Sequence, residues 1–164
     1  MSAGLLARVD RVIGTVIAAA QWLVLPVSLL LFLQWPLRDL LHAWSREAND
    51  LAQWLFALYV SVAVTYATRE RTHLAAGALA EHYAPALRDR IGRIGGALCL
   101  LPWSLFLLIT TAPMVWRSIR GLERFPETYN PGYFIIKASL CLLALLMLAQ
   151  AAIDLLRPHS RLER

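Results

Sequence analysis

Four apolar stretches of this chain carry no charge in their middles, and only Lys137 and Asp154, at the two ends of the fourth, could supply an ionisable group for chemistry inside a membrane. An ionisable group among membrane-apolar residues is the usual mark of an ion pathway or a proton relay. Lys137 lies about one turn into its apolar stretch. It can snorkel outward on its aliphatic stem, or pair with a carboxylate such as Asp50 or Glu127, or with one on another subunit. Asp154 lies about one turn from the end of the same stretch, within reach of water. The histidines, His42, His73, His82 and His159, all fall outside the apolar stretches, which does not suit paired haem ligands. Cys99 and Cys141 fall inside them, where a thiol acts as a small apolar side chain, so neither a disulfide nor a metal site is expected. There is no Gly-rich phosphate loop and no Ser-His-Asp or Cys-His constellation. Catalytic residues, cofactors and metal ligands are therefore expected to be absent.

The remaining polar residues collect at the ends of apolar runs. Asn49 and Asp50 open the second run, where either can cap free backbone N–H groups at a helix start. Arg69 and Arg71 close it, as cations suit a helix C-terminus at lipid headgroups. His73 follows Arg69 by four residues, on the same helical face, and can hydrogen-bond a partner chain. Trp44 precedes the second run and is expected to contact scaffold, lipid or a docked protein.

These positions are set by the elements around them. The chain has 164 residues, 59% of them hydrophobic, with a mean hydropathy of +0.54. That composition predicts one integral membrane domain over 1–164, with no length left for a soluble enzyme domain. Spans are expected at about 12–35, 51–68, 94–116 and 133–156, each matched to a bilayer of roughly 30 Å at about 1.5 Å per residue. The first is too long for a signal peptide and lacks a small-residue cleavage site, so it is expected to remain as a helix. Pro26 is expected to kink it. Apolar residues spaced by three and four predict interfacial helices at about 37–48 and 74–91, although residues 37–48 fit equally an amphipathic turn extending the second span. Ala57, Ser61 and Thr65 recur every four residues, a stripe that lets membrane helices approach closely. Tyr129-Asn130-Pro131-Gly132 signals a turn before the fourth span.

Four spans place both termini on one side. The head, the 69–93 connection and the tail carry ten of the basic residues, and the opposite side carries six. The excess predicts cytoplasmic termini. The net charge of +5 is then accounted for by orientation and lipid contact. No basic run has the density of a nucleic-acid patch. The expected fold class is an all-α membrane protein with four transmembrane helices, one or two short interfacial amphipathic helices and both termini cytoplasmic.

The run Asn49-Asp50-Leu51-Ala52-Gln53-Trp54-Leu55-Phe56, the exit Arg69-Glu70-Arg71-Thr72-His73-Leu74, and Tyr133-Phe134-Ile135-Ile136-Lys137-Ala138-Ser139-Leu140 followed by Leu148-Ala149-Gln150 together resemble the DctQ-type small membrane subunit of TRAP (tripartite ATP-independent periplasmic) transporters. The resemblance covers roughly residues 8–157. Asp50 stands where that family usually has Glu, Gln53 where it has Arg, and Ala76-Gly77 where Val-Asp often follows the His. The resemblance implies a subunit of the bacterial inner membrane. It would brace a large DctM-type subunit that carries out sodium-driven uptake of an organic acid delivered by a periplasmic binding protein. Its implied partners are that large subunit, the binding protein and membrane lipids. Asn49, Asp50, Arg69, His73 and Lys137 would then sit at span ends where a partner meets them. A stand-alone small transporter and a membrane anchor for a redox or assembly complex are the competing readings.

Overall fold

The computed structural model describes residues 3–41, 45–70 and 84–156. Helix α1 (Ala3–Ala20) passes through a 3-10 turn (Gln21–Leu23) into α2 (Val24–Leu41). Pro26 explains the tightening: it has no N–H to give the Trp22 carbonyl four residues back, so the α-helical ladder is interrupted there. Helix α3 (Arg46–Arg69), α4 (Pro85–Arg120) and α5 (Tyr133–Leu156) follow. Four helical stretches are long and apolar enough to cross a membrane: Gly4–Leu40, Arg46–Arg69, Arg90–Arg120 and Tyr133–Leu156. The chain is thus all-α, with no strand among the described residues.

Residues 37–41 continue α2, and residues 46–48 form the first turn of α3. The separate interfacial helix read at 37–48 therefore does not form from these residues; 42–44 lie outside the described ones. The α2 helix runs on because Pro36, with its fixed φ, is accommodated inside it and no other breaker follows before Leu41. Of the interfacial helix read at 74–91, residues 85–91 belong to the first turns of α4, and 71–83 lie outside the described residues. Pro85 at the first helical position, where a missing N–H costs nothing, starts α4 at that point. At about 1.5 Å per residue α4 is about 54 Å long, well beyond the bilayer core.

Helix α5 is the centre of the molecule. It packs along both α3 and α4, α1 and α2 pack on α3, and α1 also touches α5. Its buried residues Ser139, Ala144, Met147, Gln150, Ala151 and Ile153 face the neighbouring helices, and Leu145 remains exposed on the outward side. The small-residue stripe of α3 meets it: Ser61 and Thr65 are buried. Ser61 Oγ lies 2.7 Å from the Ala57 carbonyl of its own helix and 2.7 Å from the Ser139 carbonyl of α5, and its one proton serves either. Farther along, Thr68 Oγ1 approaches Met147 Sδ at 3.2 Å. On the other flank Thr111 Oγ1 and Cys141 Sγ are 3.3 Å apart between α4 and α5. Ser104 is fully buried and returns its proton to the Leu100 carbonyl at 2.6 Å. Hydroxyls satisfied on their own helix can be buried without an orphaned donor, which is why these polar residues pack as small apolar ones do.

Candidate polar clusters at the two ends of the bundle

At one end the α4–α5 connection folds over the helix ends as a compact clasp. Its start is a helix-terminating motif. The Leu122 N–H donates to the Ile119 carbonyl at 3.1 Å and the Glu123 N–H to the Ser118 carbonyl at 3.1 Å. Between them Leu122 takes the left-handed conformation, φ 43°. This is the six-to-one, five-to-two bonding of a Schellman cap, with leucine in the place glycine usually holds and Gly121 one residue earlier. The motif turns the chain back over the last turn of α4 and so brings the Glu123 side chain beside Ser118.

Two short-range bonds and an isolated bridge then close the loop. The Phe125 N–H donates to the Asn130 carbonyl and the Tyr129 N–H to the Phe125 carbonyl, each at 2.9 Å. Arg124 and Pro131 form an isolated antiparallel bridge. Tyr129, φ 57°, and Gly132, φ 136°, make the reversals. Gly132 is required by its backbone, whose φ suits glycine; a Cβ there would meet Phe125 Cε2 at 3.6 Å and Trp54 Nε1 at 3.9 Å, ordinary contact distances. Phe125 is buried under the loop and meets the Tyr133 ring edge-on, centroids 5.5 Å apart at 75°.

Two carboxylates fasten this clasp. Glu123 receives Lys137 Nζ on both oxygens, at 2.7 and 2.6 Å, and accepts from Ser118 Oγ. The Lys137 hydrogen bond, then that from Ser118, holds its carboxyl below the usual carboxylate range. Lys137 also lies 5.1 Å above the Tyr133 ring centroid. Asp50, buried on α3, accepts from Thr128 Oγ1 across to the loop, and Thr128 Oγ1 accepts in turn from the Asn130 N–H at 3.4 Å. The loop is thereby tied to α3, α4 and α5 at once.

The structure thus gives Lys137 an intramolecular partner, Glu123, in place of Asp50 or Glu127. Asp50 is not the cap of α3. That role falls to Ser45, whose Oγ accepts from the Ala48 N–H at 3.1 Å, as a serine in extended backbone just before a helix does. Asn49 is half-buried in the first turns of α3.

The opposite end carries a second cluster. Arg69 Nη2 pairs with Asp10 Oδ1 of α1 at 3.1 Å, and Nη1 donates to the Asp10 carbonyl at 3.4 Å. Gly14 leaves room for the guanidinium to cross α1, Arg69 Nη1 lying 3.9 Å from where its Cβ would be. Asp154 accepts from Gln150 Nε2 one turn earlier at 3.0 Å. His73 and Trp44 lie outside the described residues. Among the described residues no group of three His, Cys, Asp or Glu side chains converges. Glu123, Thr128, Ser118 and Asp10 were missed in the sequence. Only the turn signal at 129–132 hinted that the 117–131 connection folds back on itself.

Residues 27–161 match the family model described as Tripartite ATP-independent periplasmic transporters, DctQ component. No curated protein and no solved structure matches the chain.

Proposed function

This chain belongs to the DctQ component family of tripartite ATP-independent periplasmic transporters, and from that premise we propose that it braces a large DctM-type membrane subunit through which the substrate moves. The transport is sodium-driven uptake of an organic acid in the bacterial inner membrane, and a periplasmic binding protein delivers the substrate. Both termini lie in the cytoplasm, so the clasp of residues 121–132 faces the periplasm, the side from which the binding protein arrives.

One observation carries the bracing role. The charged span-end residues Asp50, Arg69 and Lys137 are each bound to another element of the same chain. They fasten the helices to one another and to the loop. The outward faces of the long helices, among them Trp22, Phe32, Trp35, Leu98, Phe106 and Ile109, are apolar and exposed, as suits a body set against lipid and a second membrane protein.

Reconstitution tests the reading. The large subunit and this chain, purified together with the binding protein, are expected to take up an organic acid under a sodium gradient, and uptake is expected to fail without this chain. Sodium-driven uptake by this chain alone, or full uptake by the large subunit and binding protein without it, would overturn the proposal.

A further inference from the structure

Beside the clasp opens a cleft of about 330 Å³ lined by Met114, Arg117, Ser118, Gly121, Glu123 and Lys137. Two cations and one carboxylate share it. Lys137 is spent on Glu123, bonded to both carboxylate oxygens, so the charge left over belongs to Arg117. That side chain is exposed, and its Nε donates to the Pro113 carbonyl at 3.3 Å. Its two terminal nitrogens have no partner among the described residues. Gly121 adds no side chain to close the cleft over them.

The surroundings fix the depth. Arg117 lies one turn before the end of α4. Beside it Arg120 stacks on Trp116, 4.6 Å from the ring centroid, the kind of cation and aromatic anchor found at membrane interfaces. Met114 lines the cleft and is partly exposed, and Trp116 and Ile119 expose apolar surface on the other side of the same helix end. A cation with free, fork-shaped donors is thus presented at headgroup level, above an apolar floor.

We infer that this cleft binds the phosphodiester group of a membrane phospholipid. The terminal nitrogens of Arg117 take two phosphate oxygens in the bidentate geometry that guanidinium offers, and an acyl chain lies along Met114, one turn toward the membrane on the same helix face. Glu123 neutralises Lys137, so the site attracts a single negative charge. The inference needs α4 and α5 to cross a bilayer and needs nothing of the transporter partners.

The test uses the full chain in maltoside detergent, delipidated and then titrated with dioleoyl phosphatidylglycerol, with bound lipid read by native mass spectrometry. Arg117→Gln is expected to weaken retention roughly tenfold, the loss of a charge-assisted pair. Arg117→Lys is expected to fall between, keeping charge and losing the fork. Arg124→Gln, an exposed cation outside the cleft, is expected to retain lipid as the parent does. Circular dichroism of each variant verifies the helices. Equal retention in Arg117→Gln and the parent would overturn the inference, as would an equal loss in Arg124→Gln. Inorganic phosphate that competes at the lipid's own concentration would also overturn it, pointing to a free-anion site. So would loss of the large subunit on Arg117→Gln with lipid unchanged, which would assign the cation to a protein partner.

Discussion

Lys137 shows how a residue in an awkward place acquires a partner that sequence distance conceals. Its unusual position was legible: one cation, shallow in an apolar run. Its partner was not, because Glu123 is brought to it by a cap whose left-handed residue is Leu122. A reader places such a turn at glycine, and Gly121 stands one residue too early. The pair carries a pH dependence. Glu123 titrates below the usual carboxylate range in the folded chain, so its contribution is present above the unfolded value and is lost as pH falls through the folded one. Protection of the amides of residues 121–132, taken relative to their free-peptide exchange rates, is therefore expected to be full at neutral pH and to be lost as pH falls below the ordinary carboxylate value of 4.5. Glu123→Gln is expected to show the lowered protection at every pH; an acid response unchanged in that variant would refute the assignment. The second fastening is testable in the same way. Thr128→Val leaves the buried Asp50 carboxylate without its donor and is expected to cost about 1.5–3 kcal/mol, read as an earlier transition on titration with denaturing detergent.

At the scale of helices, the stripe on α3 was the clearest message in the sequence, and the reason is periodicity: Ala57, Ser61 and Thr65 recur at the spacing that keeps one face in contact. The stripe does not name its neighbour, since any helix of matching shape would serve, and the structure gives α5. Ser61→Leu is expected to push the two helices apart and destabilise the chain by about 1–3 kcal/mol, the usual cost of overpacking. Thermal unfolding followed by circular dichroism checks it. The joint between α1 and α3 is set by Gly14 and Arg69. A methyl at position 14 would sit at ordinary contact distance from the guanidinium, so Gly14→Ala is expected to be neutral. Gly14→Leu is expected to dislodge Arg69 from Asp10 and to behave as Asp10→Asn does in the same melt. Two readings of 37–48 fit its apolar spacing equally, and among the described residues 37–41 extend α2 and 46–48 extend α3.

For the molecule as a whole, four crossings and the all-α class followed from hydropathy and length, because a bilayer forces a long apolar run to be helical. The order of packing did not follow, since apolar faces carry little record of which neighbour they meet. Orientation rests on charge and can be read by labelling. In a background with Cys99→Ser and Cys141→Ser, Tyr129→Cys is expected to react with an impermeant maleimide in intact cells, and Arg90→Cys only after permeabilisation. The reverse pattern would invert the topology.

The central place of α5 has a further consequence for biosynthesis. It is made after α3 and α4, yet those two scarcely meet without it. While translation is still in progress, the hydroxyls of Ser61 and Thr65 face a bilayer with no companion helix against them. Until α5 enters the bilayer, the nascent chain lacks the helix that α3 and α4 share, and it should then be open to a quality-control protease. Ribosome-stalled intermediates ending before α5 should be degraded far faster than those ending after it.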